Sequence, residues 1–584
     1  MNSTRKTLRT ILNCSLATVL AAPLALAGGT EVRFRDPATD SNEVRSRGTK
    51  QDRIPAPDPR IALDAQLEML NADGRVTDGV METLVAVADD TQPTIELTLT
   101  YDGQLDSSMW TMIEDLGGEV MQVFGTIPGC SVRIPADRVD ELLADESIQQ
   151  IDWNAPVQFS MDVARTAAQA SDPQTSGQHG STGQLNGGGV TIALVDSGVR
   201  THPDLGNLAG CVDLISNPLT NSEDPYQSTA MLAGTLADCT PLSDPFGHGT
   251  HIAGILIGDG GRSNELYAGI APDADLISVR VLDHEGMADV ADVITGIDWV
   301  VQNKDAYEID ILSLSLGGPF YVPAADDPLV QAVEAAWDAG IVVVVSAGNL
   351  GTYGNFTITR PGNSPKVITV GSLTDWNSLV LPDDMKSSYS SMSPTLIDGY
   401  LKPDLVAPGN RIISTRAPGS TLDELLEPMG AVFANHYLEM SGTSMAAPIV
   451  AATAALMLEN EPNLNPDTIK ARLMLTADPL PGNALEHGAG RVDIAGALSD
   501  TSLTAVAHSP RVLRAAVCCD LYVEDMNGKW GAIWDASALW GDSTLWSDTT
   551  LWGETTIWGD TTLWGETTIW GDSTLWADSV VIGE

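Results

Sequence analysis

The sequence predicts an α/β protein built on a parallel sheet, with a smaller α+β unit before it and a repetitive extension after it, for which β-structure is one interpretation. The runs at 190–195 and 341–345 are apolar and rich in β-branched residues, which is typical of strands buried on both faces. Strand and helix patterns alternate at 276–281, 290–303 and 309–314. This alternation indicates a parallel sheet covered by helices on both faces.

Two predicted turns at the ends of these elements carry residues with acid–base chemistry. The run 190–195 ends in Asp196, so a carboxylate lies at the carboxyl end of a predicted parallel strand, where open α/β sheets form their sites. His248 stands between two glycines at a predicted helix start, and glycine there lets other backbone approach the imidazole. We therefore expect Asp196 and His248 to belong to one site.

A third candidate is Ser444, which lies among small residues just before the apolar run 449–456. This pattern predicts a tight turn leading into a helix, whose free N–H groups and dipole can stabilise an oxyanion. A serine before a helix is usually only a cap. A serine nucleophile needs a base and a carboxylate that orients the base, and His248 and Asp196 supply both residue types.

The order Asp196, His248, Ser444 is the order of subtilisin. The strings Asp-Ser-Gly, His-Gly-Thr-His-Ile-Ala-Gly and Gly-Thr-Ser-Met-Ala-Ala-Pro resemble those of the subtilisin-like serine peptidases (subtilases, peptidase family S8). The resemblance implies an endopeptidase in which Ser444 attacks the peptide carbonyl, His248 carries the proton and Asp196 orients His248. It also implies that Asn349 donates to the oxyanion beside the Ser444 N–H, although Gly-Asn is equally common in turns.

The resemblance also assigns a substrate cleft. Ser315, Leu316 and Gly317 correspond to a strand that pairs with the peptide, Gly286 to the opposing edge, and Thr359 to the floor of the specificity pocket. An extended peptide would add as a strand between the two edges. No acidic residue stands at the matched pocket positions, so we expect a broad preference for apolar or aromatic side chains. Thr359 replaces the glycine common in the family and is expected to shorten the pocket.

The N-terminus predicts export. Residues 1–27 contain basic residues, a short apolar stretch and an Ala-Leu-Ala end, which is typical of a signal peptide. An uncleaved anchor is the alternative, but the apolar stretch is short for a membrane span. The mature chain is expected to have no transmembrane segment and to be secreted, either free in the medium or associated with the cell surface. Residues 28–92 are assigned to an N-terminal extension or linker.

Residues 93–156 alternate strand and helix patterns in the βαββαβ order of a ferredoxin-like unit. Its position before the peptidase region resembles an inhibitor I9-like propeptide, which implies an autoprocessed zymogen with its own intramolecular inhibitor. We therefore assign 93–159 to the propeptide and 160–500 to the peptidase domain. The cut is expected after Val157 and before about residue 180.

No cofactor is expected for the chemistry, but a structural calcium ion is one interpretation of Asp204. This residue matches a calcium position of the family, whereas the loop 259–267 matches poorly and calcium needs about six oxygens. A simple hydrogen bond to a loop is the alternative. Cys211 and Cys239 lie in a long insertion, and both a disulfide and two free thiols remain open.

The C-terminal extension, residues 501–584, contains a tryptophan every six residues from Trp534 to Trp576. The even period places all these indoles on one face of an extended chain. A stacked hexapeptide β-structure and a disordered acidic tail are both compatible with this pattern. A cell-envelope partner, an export signal or a removable extension are the functional interpretations.

The formal net charge is −48, which argues against nucleic acid as a partner. Protein and peptide substrates are the expected partners. Two competing interpretations are a surface adhesin built on a protease fold and a narrow processing protease that matures one partner. The four matched catalytic positions argue against the adhesin, because an inactive copy has no chemical reason to keep all of them.

Overall fold

The computed structural model describes residues 70, 75–87, 93–102, 107–159, 185–215, 236–375, 384–480, 482–514 and 521–523. The predicted signal peptide, the chain that follows residue 159 up to residue 184 and the tryptophan repeats lie outside the described residues. The predictions made for those segments therefore stay predictions.

The N-terminal unit (residues 75–153) is an antiparallel sheet with the strand order β2-β3-β1-β4. Its elements are α1 (Asp78–Val87), β1 (Thr94–Tyr101), α2 (Ser107–Asp115), β2 (Glu119–Val123), β3 (Gly129–Pro135), a 3₁₀ helix (Ala136–Ala144) and β4 (Ile148–Trp153). The second helix of the βαββαβ pattern is thus a 3₁₀ helix. Val80 and Leu84 of α1 are buried in the same core as Leu97 and Leu99, so this unit starts before residue 93.

The remaining strands follow in chain order. They are β5 (Pro156–Phe159), β6 (Thr191–Asp196), β7 (Leu208–Asp213), β8 (Asp275–Arg280), β9 (Met287–Asp289), β10 (Ile309–Leu314), β11 (Leu316–Gly317), β12 (Val342–Ser346), β13 (Ile368–Thr374), β14 (Met385–Lys386), β15 (Leu405–Pro408), β16 (Ile412–Thr415), β17 (Val432–Phe433), β18 (Tyr437–Met440), β19 (Val512–Arg514) and β20 (Leu521–Val523).

The helices of the main domain are α3 (His248–Ile257), α4 (Val290–Tyr307), α5 (Pro328–Asp338), α6 (Thr421–Leu426), α7 (Thr443–Asn460), α8 (Pro466–Leu475), α9 (Ala484–His487) and α10 (Ile494–Ser499). Short 3₁₀ helices occur at Ala324–Asp326, Gly351–Tyr353 and Glu427–Met429.

The main domain is organised around one large sheet with the order β14-β13-β12-β10-β6-β8-β7, and β15 pairs with β13. Its neighbouring strands are parallel, except that β14 is antiparallel to β13. Every residue of β6 and β12 is buried, which explains why their sequences are apolar runs without alternation. The predicted α/β fold with a parallel sheet is confirmed.

The parallel arrangement gathers the candidate residues at one edge of the sheet. Strands β6, β10 and β12 are neighbours, so their carboxyl ends meet there. Asp196 is the last residue of β6, Ser315 directly follows β10, and Asn349 follows β12. Helices α3 and α7 pack against each other, and α7 also packs on β12 and β13. The first turns of these two helices carry His248 and Ser444.

Residues beyond 500 also pack on the main domain. Ser509 Oγ donates to Asp404 Oδ1 at 2.5 Å, and Lys470 Nζ donates to Ser509 Oγ at 2.9 Å. Leu401 N donates to the Pro510 carbonyl at 2.8 Å. The domain therefore continues past the boundary at 500 that the sequence suggested. In the part of the chain that the structure describes, no helix is both long and apolar enough for a membrane crossing.

The long insertion before α3 contains a disulfide between Cys211 and Cys239. Cys211 belongs to β7 at the edge of the large sheet, and its backbone pairs with Ala237. The disulfide therefore ties the returning chain of the insertion to the sheet. Of the two alternatives that the sequence left open, the structure has the disulfide.

Candidate active site

Asp196 and His248 are fully buried and in direct contact. His248 Nδ1 lies 2.8 Å from Asp196 Oδ1 and 3.0 Å from Oδ2. The backbone N–H of Ser197 donates to Asp196 Oδ1 at 2.7 Å, which fixes the carboxylate. A Cβ atom at Gly249 would lie 2.1 Å from the Gly198 carbonyl oxygen, so glycine is required for this approach. A carboxylate on Nδ1 leaves Nε2 as the basic nitrogen.

A second buried histidine, His251, stands one turn later on α3 but has a different environment. Its Nε2 lies 2.9 Å from the Leu438 carbonyl and 3.2 Å from that of Ile412. Burial lowers the pKa of His251 to about 3, so this imidazole stays neutral. His251 therefore joins α3 to β16 and β18, whereas His248 is the histidine that a carboxylate orients.

Asp244 holds the turn before His248, and it is not among the residues expected from the sequence. Its carboxylate accepts hydrogen bonds from Gly247 N at 2.7 Å, Thr250 N at 2.8 Å, Thr250 Oγ1 at 2.5 Å and Ser197 Oγ at 2.9 Å. Burial raises the pKa of Asp244. The shared partner Ser197 links the turns that carry Asp196 and His248. The sequence does contain an acidic residue four positions before the histidine. However, the pair Asp244-Pro245 is typical of an exposed turn, so the sequence alone does not indicate a buried carboxylate.

Ser444 is the second residue of α7 and is fully buried. Its Oγ donates to the Ser315 carbonyl at 3.2 Å, and Ser315 Oγ donates to the Ser444 carbonyl at 2.9 Å. These two hydrogen bonds join the start of α7 to the segment between β10 and β11. The hydroxyl of Ser444 therefore lies beside the strand that was predicted to bind the peptide.

The side-chain amide of Asn349 is held in one orientation by Thr443. Thr443 N and Thr443 Oγ1 donate to Asn349 Oδ1 at 3.0 and 3.1 Å. A backbone N–H can only donate, so the carbonyl end of the amide faces Thr443 and Nδ2 points away from it. Asn349 Nδ2 is buried and has no hydrogen-bond partner within the described chain. An unpaired buried donor next to the Ser444 turn can bind an oxyanion.

The two predicted edges of the substrate cleft flank the short strand β5. This strand is antiparallel to β11 on one side and to β9 on the other. Leu316 pairs with Phe159, and Gly317 pairs with Gln158. Gly286 forms the turn that starts β9, with a φ of +79° that favours glycine. An extended segment of this same chain thus lies between the edges predicted to hold a peptide.

Thr359 is buried close to β11 and β12. Its N–H donates to the Ala347 carbonyl at 3.2 Å. Cβ atoms built on Gly317 and on Gly348 would each lie 2.7 Å from Thr359 Oγ1. The threonine side chain therefore occupies the space between these two glycines.

Asp204 does not have the surroundings of a calcium ligand. Asp204 Oδ1 accepts from Arg262 N at 3.0 Å, and Oδ2 accepts from the Tyr437 hydroxyl. Among the described residues there is no group of three or more His, Cys, Asp or Glu side chains that could hold a metal ion. Both oxygens already accept from protein donors, so these residues fit the loop hydrogen bond rather than calcium, and we assign no step to a metal.

Residues 187–492 match the model of the subtilase family of peptidases. The chain belongs to the subtilase family. The serine protease AprX of Bacillus subtilis (strain 168) is 40% identical over 374 residues, which cover 61% of this chain and 78% of that protein. Subtilisin NAT of Bacillus subtilis subsp. natto is 30% identical over 389 residues, which cover 66% of this chain and 84% of the relative.

Solved structures show the same fold. Fervidolysin from Fervidobacterium pennivorans, whose crystal structure is described as that of a keratinolytic enzyme related to subtilisin, aligns with a TM-score of 0.53 and 23% identity. The alignment covers 70% of this subtilase and 62% of fervidolysin, which is less than two thirds of that longer chain. Family membership, with relatives named serine protease and subtilisin, makes this protein a serine endopeptidase.

Proposed function

We propose that this subtilase is made as an exported zymogen that cuts itself, and that Asp196, His248, Ser444 and Asn349 carry out the chemistry. His248 takes the proton of Ser444 Oγ through Nε2, and Asp196 stabilises the imidazolium that forms. Ser444 Oγ then adds to the peptide carbonyl. Asn349 Nδ2 and the Ser444 N–H donate to the oxygen of the tetrahedral intermediate. The imidazolium next protonates the leaving amine, and a water molecule hydrolyses the acyl-enzyme by the same route.

The observation that carries this proposal is the position of β5. The strand extends from the N-terminal unit into the space between β9 and β11, where its backbone makes the pairings that an extended substrate would make. A precursor that holds its own chain in this cleft blocks other substrates. It also presents a peptide of its own to Ser444. These two consequences are what an inhibitory propeptide requires.

Contacts outside the cleft support the role of the N-terminal unit as a propeptide. Asp298 of α4 accepts from Gly125 N at 2.5 Å and from Thr126 N at 2.9 Å. Asn154 Oδ1 accepts from Ala291 N at 3.0 Å and so satisfies one of the free N–H groups at the start of α4. The N-terminal unit therefore contacts helix α4 of the peptidase domain, in addition to placing its last segment, β5, in the cleft. This arrangement suits a template for folding the domain.

Export is supported by the predicted signal peptide and by the Cys211–Cys239 disulfide, since disulfides persist in oxidising compartments. We infer an extracellular enzyme acting on proteins and peptides, with the tryptophan repeats as the element that associates it with the cell envelope. No cofactor takes part in the proposed mechanism.

The test is the Ser444→Ala protein produced in a protease-deficient host. The wild type should react with a fluorophosphonate probe and hydrolyse casein, and Ser444→Ala should lose both, with a fall in kcat near 10⁶-fold. Intact-mass measurement should show the variant uncut between the N-terminal unit and the peptidase domain.

Ser499→Ala is a matched control, because Ser499 lies on the exposed end of α10 and should leave labelling and processing as in the wild type. Normal processing of Ser444→Ala would show that another enzyme makes the cut. Failure of the matured wild type to label would reject the assigned catalytic residues.

A further inference from the structure

We propose that Thr359 closes the specificity pocket, so that this peptidase cleaves after small residues such as alanine and serine and discriminates against large apolar and aromatic ones. The proposal rests on the proposed function, because it uses the β5 position as the path of the substrate. It names the substrate class of the same site. It also replaces the broad apolar and aromatic preference that the sequence predicted.

The register of β5 indicates which substrate residue faces Ser444. Val290 N donates to the Ala155 carbonyl at 3.1 Å, and Val157 pairs with Ala288 two positions further in the same register. In an extended chain, the backbone groups of alternate residues point to opposite neighbours. The backbone groups of Ala155 and Val157 therefore point to β9 and the start of α4. The backbone groups of Gln158 point the other way, to Gly317 on β11.

The same alternation continues toward the nucleophile. A peptide residue two positions after the one opposite Gly317 directs its N–H and C=O toward Ser315. The Ser315 carbonyl accepts from Ser444 Oγ at 3.2 Å, so the peptide residue opposite Ser315 is the one nearest to the nucleophile, and we take it as the residue before the cut. The side chain of that residue is the one that the specificity pocket must accept.

The strand geometry also gives the direction of that side chain. Residues directly opposite each other in an antiparallel pair have their side chains on the same face, and residues two apart on one strand share a face. A Cβ atom on Gly317 would point at Thr359 Oγ1 from 2.7 Å. The substrate residue opposite Ser315 therefore directs its side chain to the face on which Thr359 lies.

Little space remains for a side chain on that face. Gly317 and Gly348 form the two backbone walls, and a Cβ on Gly348 would meet Thr359 Oγ1 at 2.7 Å and Cγ2 at 2.9 Å. The threonine thus fills the bottom of the slot between the walls, where a glycine would leave it open. A methyl or hydroxymethyl side chain ends above this floor, whereas a benzyl or isobutyl group needs the volume that Thr359 occupies.

The floor is also held in place. Arg360 N donates to the Gly318 carbonyl at 3.0 Å, and Gly318 N donates to the Arg360 carbonyl at 3.1 Å, so the residue after Thr359 is bonded to the chain that follows β11. The Arg360 side chain is fully buried and bonded to Asp327 at 3.1 Å. Thr359 N is itself bound to the Ala347 carbonyl, so the backbone of Thr359 and of the residue after it is held on two sides. Deepening the pocket by moving this segment would break these hydrogen bonds.

The experiment compares substrates that differ only at the residue before the cut. Matured wild-type enzyme is titrated with a fluorophosphonate probe and assayed on succinyl-Ala-Ala-Pro-X-p-nitroanilides with X as Ala, Val, Leu or Phe. We expect kcat/KM for Ala to exceed that for Phe by at least about tenfold, the range that a misfit of this size gives. Thr359→Gly should shift the Phe-to-Ala ratio toward Phe by at least about tenfold.

Two further variants test whether volume is the cause. Thr359→Val has the same shape without the hydroxyl and should keep the wild-type Phe-to-Ala ratio within about threefold. Thr352→Gly, at an exposed threonine of the nearby 3₁₀ helix Gly351–Tyr353, should also keep this ratio. A loss of discrimination in Thr359→Val would overturn the volume argument.

Titrated wild type that hydrolyses the Phe substrate as well as the Ala substrate would overturn this proposal and leave the proposed function standing. A matured protein that neither reacts with the probe nor hydrolyses any member of the series would overturn both.

Discussion

Arg360 and Asp152 form a fully buried ion pair, with Nη1 3.2 Å from Oδ2, although Asp152 lies in β4 of the N-terminal unit and Arg360 follows the pocket floor. The same nitrogen lies 3.1 Å from Asp327, the N-cap residue of α5. Burial raises the pKa of Asp152, and the cation between the two carboxylates opposes that rise. Release of the N-terminal unit, as the proposed self-processing requires, would leave Arg360 with one of these two partners.

Asp152→Asn should destabilise the uncut precursor. In the Ser444→Ala background we expect a loss of about 2 kcal/mol in the free energy of unfolding, the usual value of a hydrogen bond to a charged group. Chemical denaturation measures it. Asp137→Asn, at an exposed position of the same unit, should change stability by less than about 0.5 kcal/mol. Equal stability of the Asp152 and Asp137 variants would mean that the buried pair contributes nothing.

Asn349→Ala should lower kcat by about 10²–10³-fold with little change in KM, because its amide would bind the oxygen only as negative charge develops. Thr443→Val should have a smaller effect, roughly five- to tenfold, since it removes one of two hydrogen bonds that orient the Asn349 amide. Steady-state kinetics on one peptide substrate separates kcat from KM. A pure KM effect in Asn349→Ala would argue against the oxyanion role.

The contact between Asp298 and the N-terminal unit should make precursor stability depend on pH. Burial raises the pKa of Asp298 to about 6, so its contribution is fully present below its ordinary value of 3.8 and is lost as the pH rises through about 6. In the Ser444→Ala background, Asp298→Asn cannot ionise and should lack this dependence. From pH 5 to 7.5 the parent should lose about 1.4 kcal/mol relative to the variant, as one pKa unit requires. A constant difference across that range would contradict the assignment.

The catalytic candidates could be predicted from the sequence because each one lies at the beginning or the end of a strongly patterned helix or strand. Asp196 closes an apolar strand, and Ser444 opens an apolar helix. The ion pair of Asp152 and Arg360 could not be read, because 208 positions separate the two residues and no local pattern joins them. Asp244 was also missed, since nothing in Asp-Pro shows that its carboxylate is buried.

Thr359 illustrates an intermediate case. Family resemblance placed Thr359 at the pocket floor, but the position of its hydroxyl between Gly317 and Gly348 depends on the three-dimensional structure. The packed units extend beyond the boundaries at residues 93 and 500 expected from the sequence for a similar reason. Helix α1 and the segment around Ser509 carry weak patterns of their own, and their place in the cores is decided by contacts with distant chain.

Removal of the tryptophan repeats should spare hydrolysis if the packed segment around Ser509 is kept. A chain ending at Val523 should retain kcat/KM on a small peptide within about threefold, a difference of about 0.65 kcal/mol. A chain ending at Asp500 should instead unfold at a midpoint lower by roughly 4 °C or more, because Lys470 and Asp404 lose Ser509. Thermal scans and kinetics on both chains check this. Equal midpoints would place the domain end at 500 after all.

The same Val523 truncation should change where the enzyme is found. The even period of the repeats predicts indoles on one face of an extended chain, and such an apolar surface would need a partner, so its loss should shift the enzyme from the cell envelope to the medium or block export. Cell fractionation followed by active-site labelling measures the distribution. Unchanged secretion and unchanged envelope binding would remove the attachment role.

The register of β5 predicts the bond at which the precursor is cut. Gln158 pairs with Gly317, so the backbone position that would face Ser315, and through it Ser444, is two residues later. In the sequence this position is Ser160. The cut should therefore fall between Ser160 and Met161, and N-terminal sequencing of the matured enzyme should begin at Met161.

Ser160 is also a small residue, as the pocket closed by Thr359 requires. Substitutions at Ser160 therefore test the register of β5 and the size of the pocket together. Ser160→Phe should slow self-processing at this bond by at least about tenfold, whereas Ser160→Ala should be processed like the wild type. Adding Thr359→Gly to Ser160→Phe should restore the cut, because it reopens the volume that the benzyl group needs. Time courses of intact mass measure all three. A mature N-terminus elsewhere, together with unimpeded processing of Ser160→Phe, would show that the β5 register does not position the scissile bond.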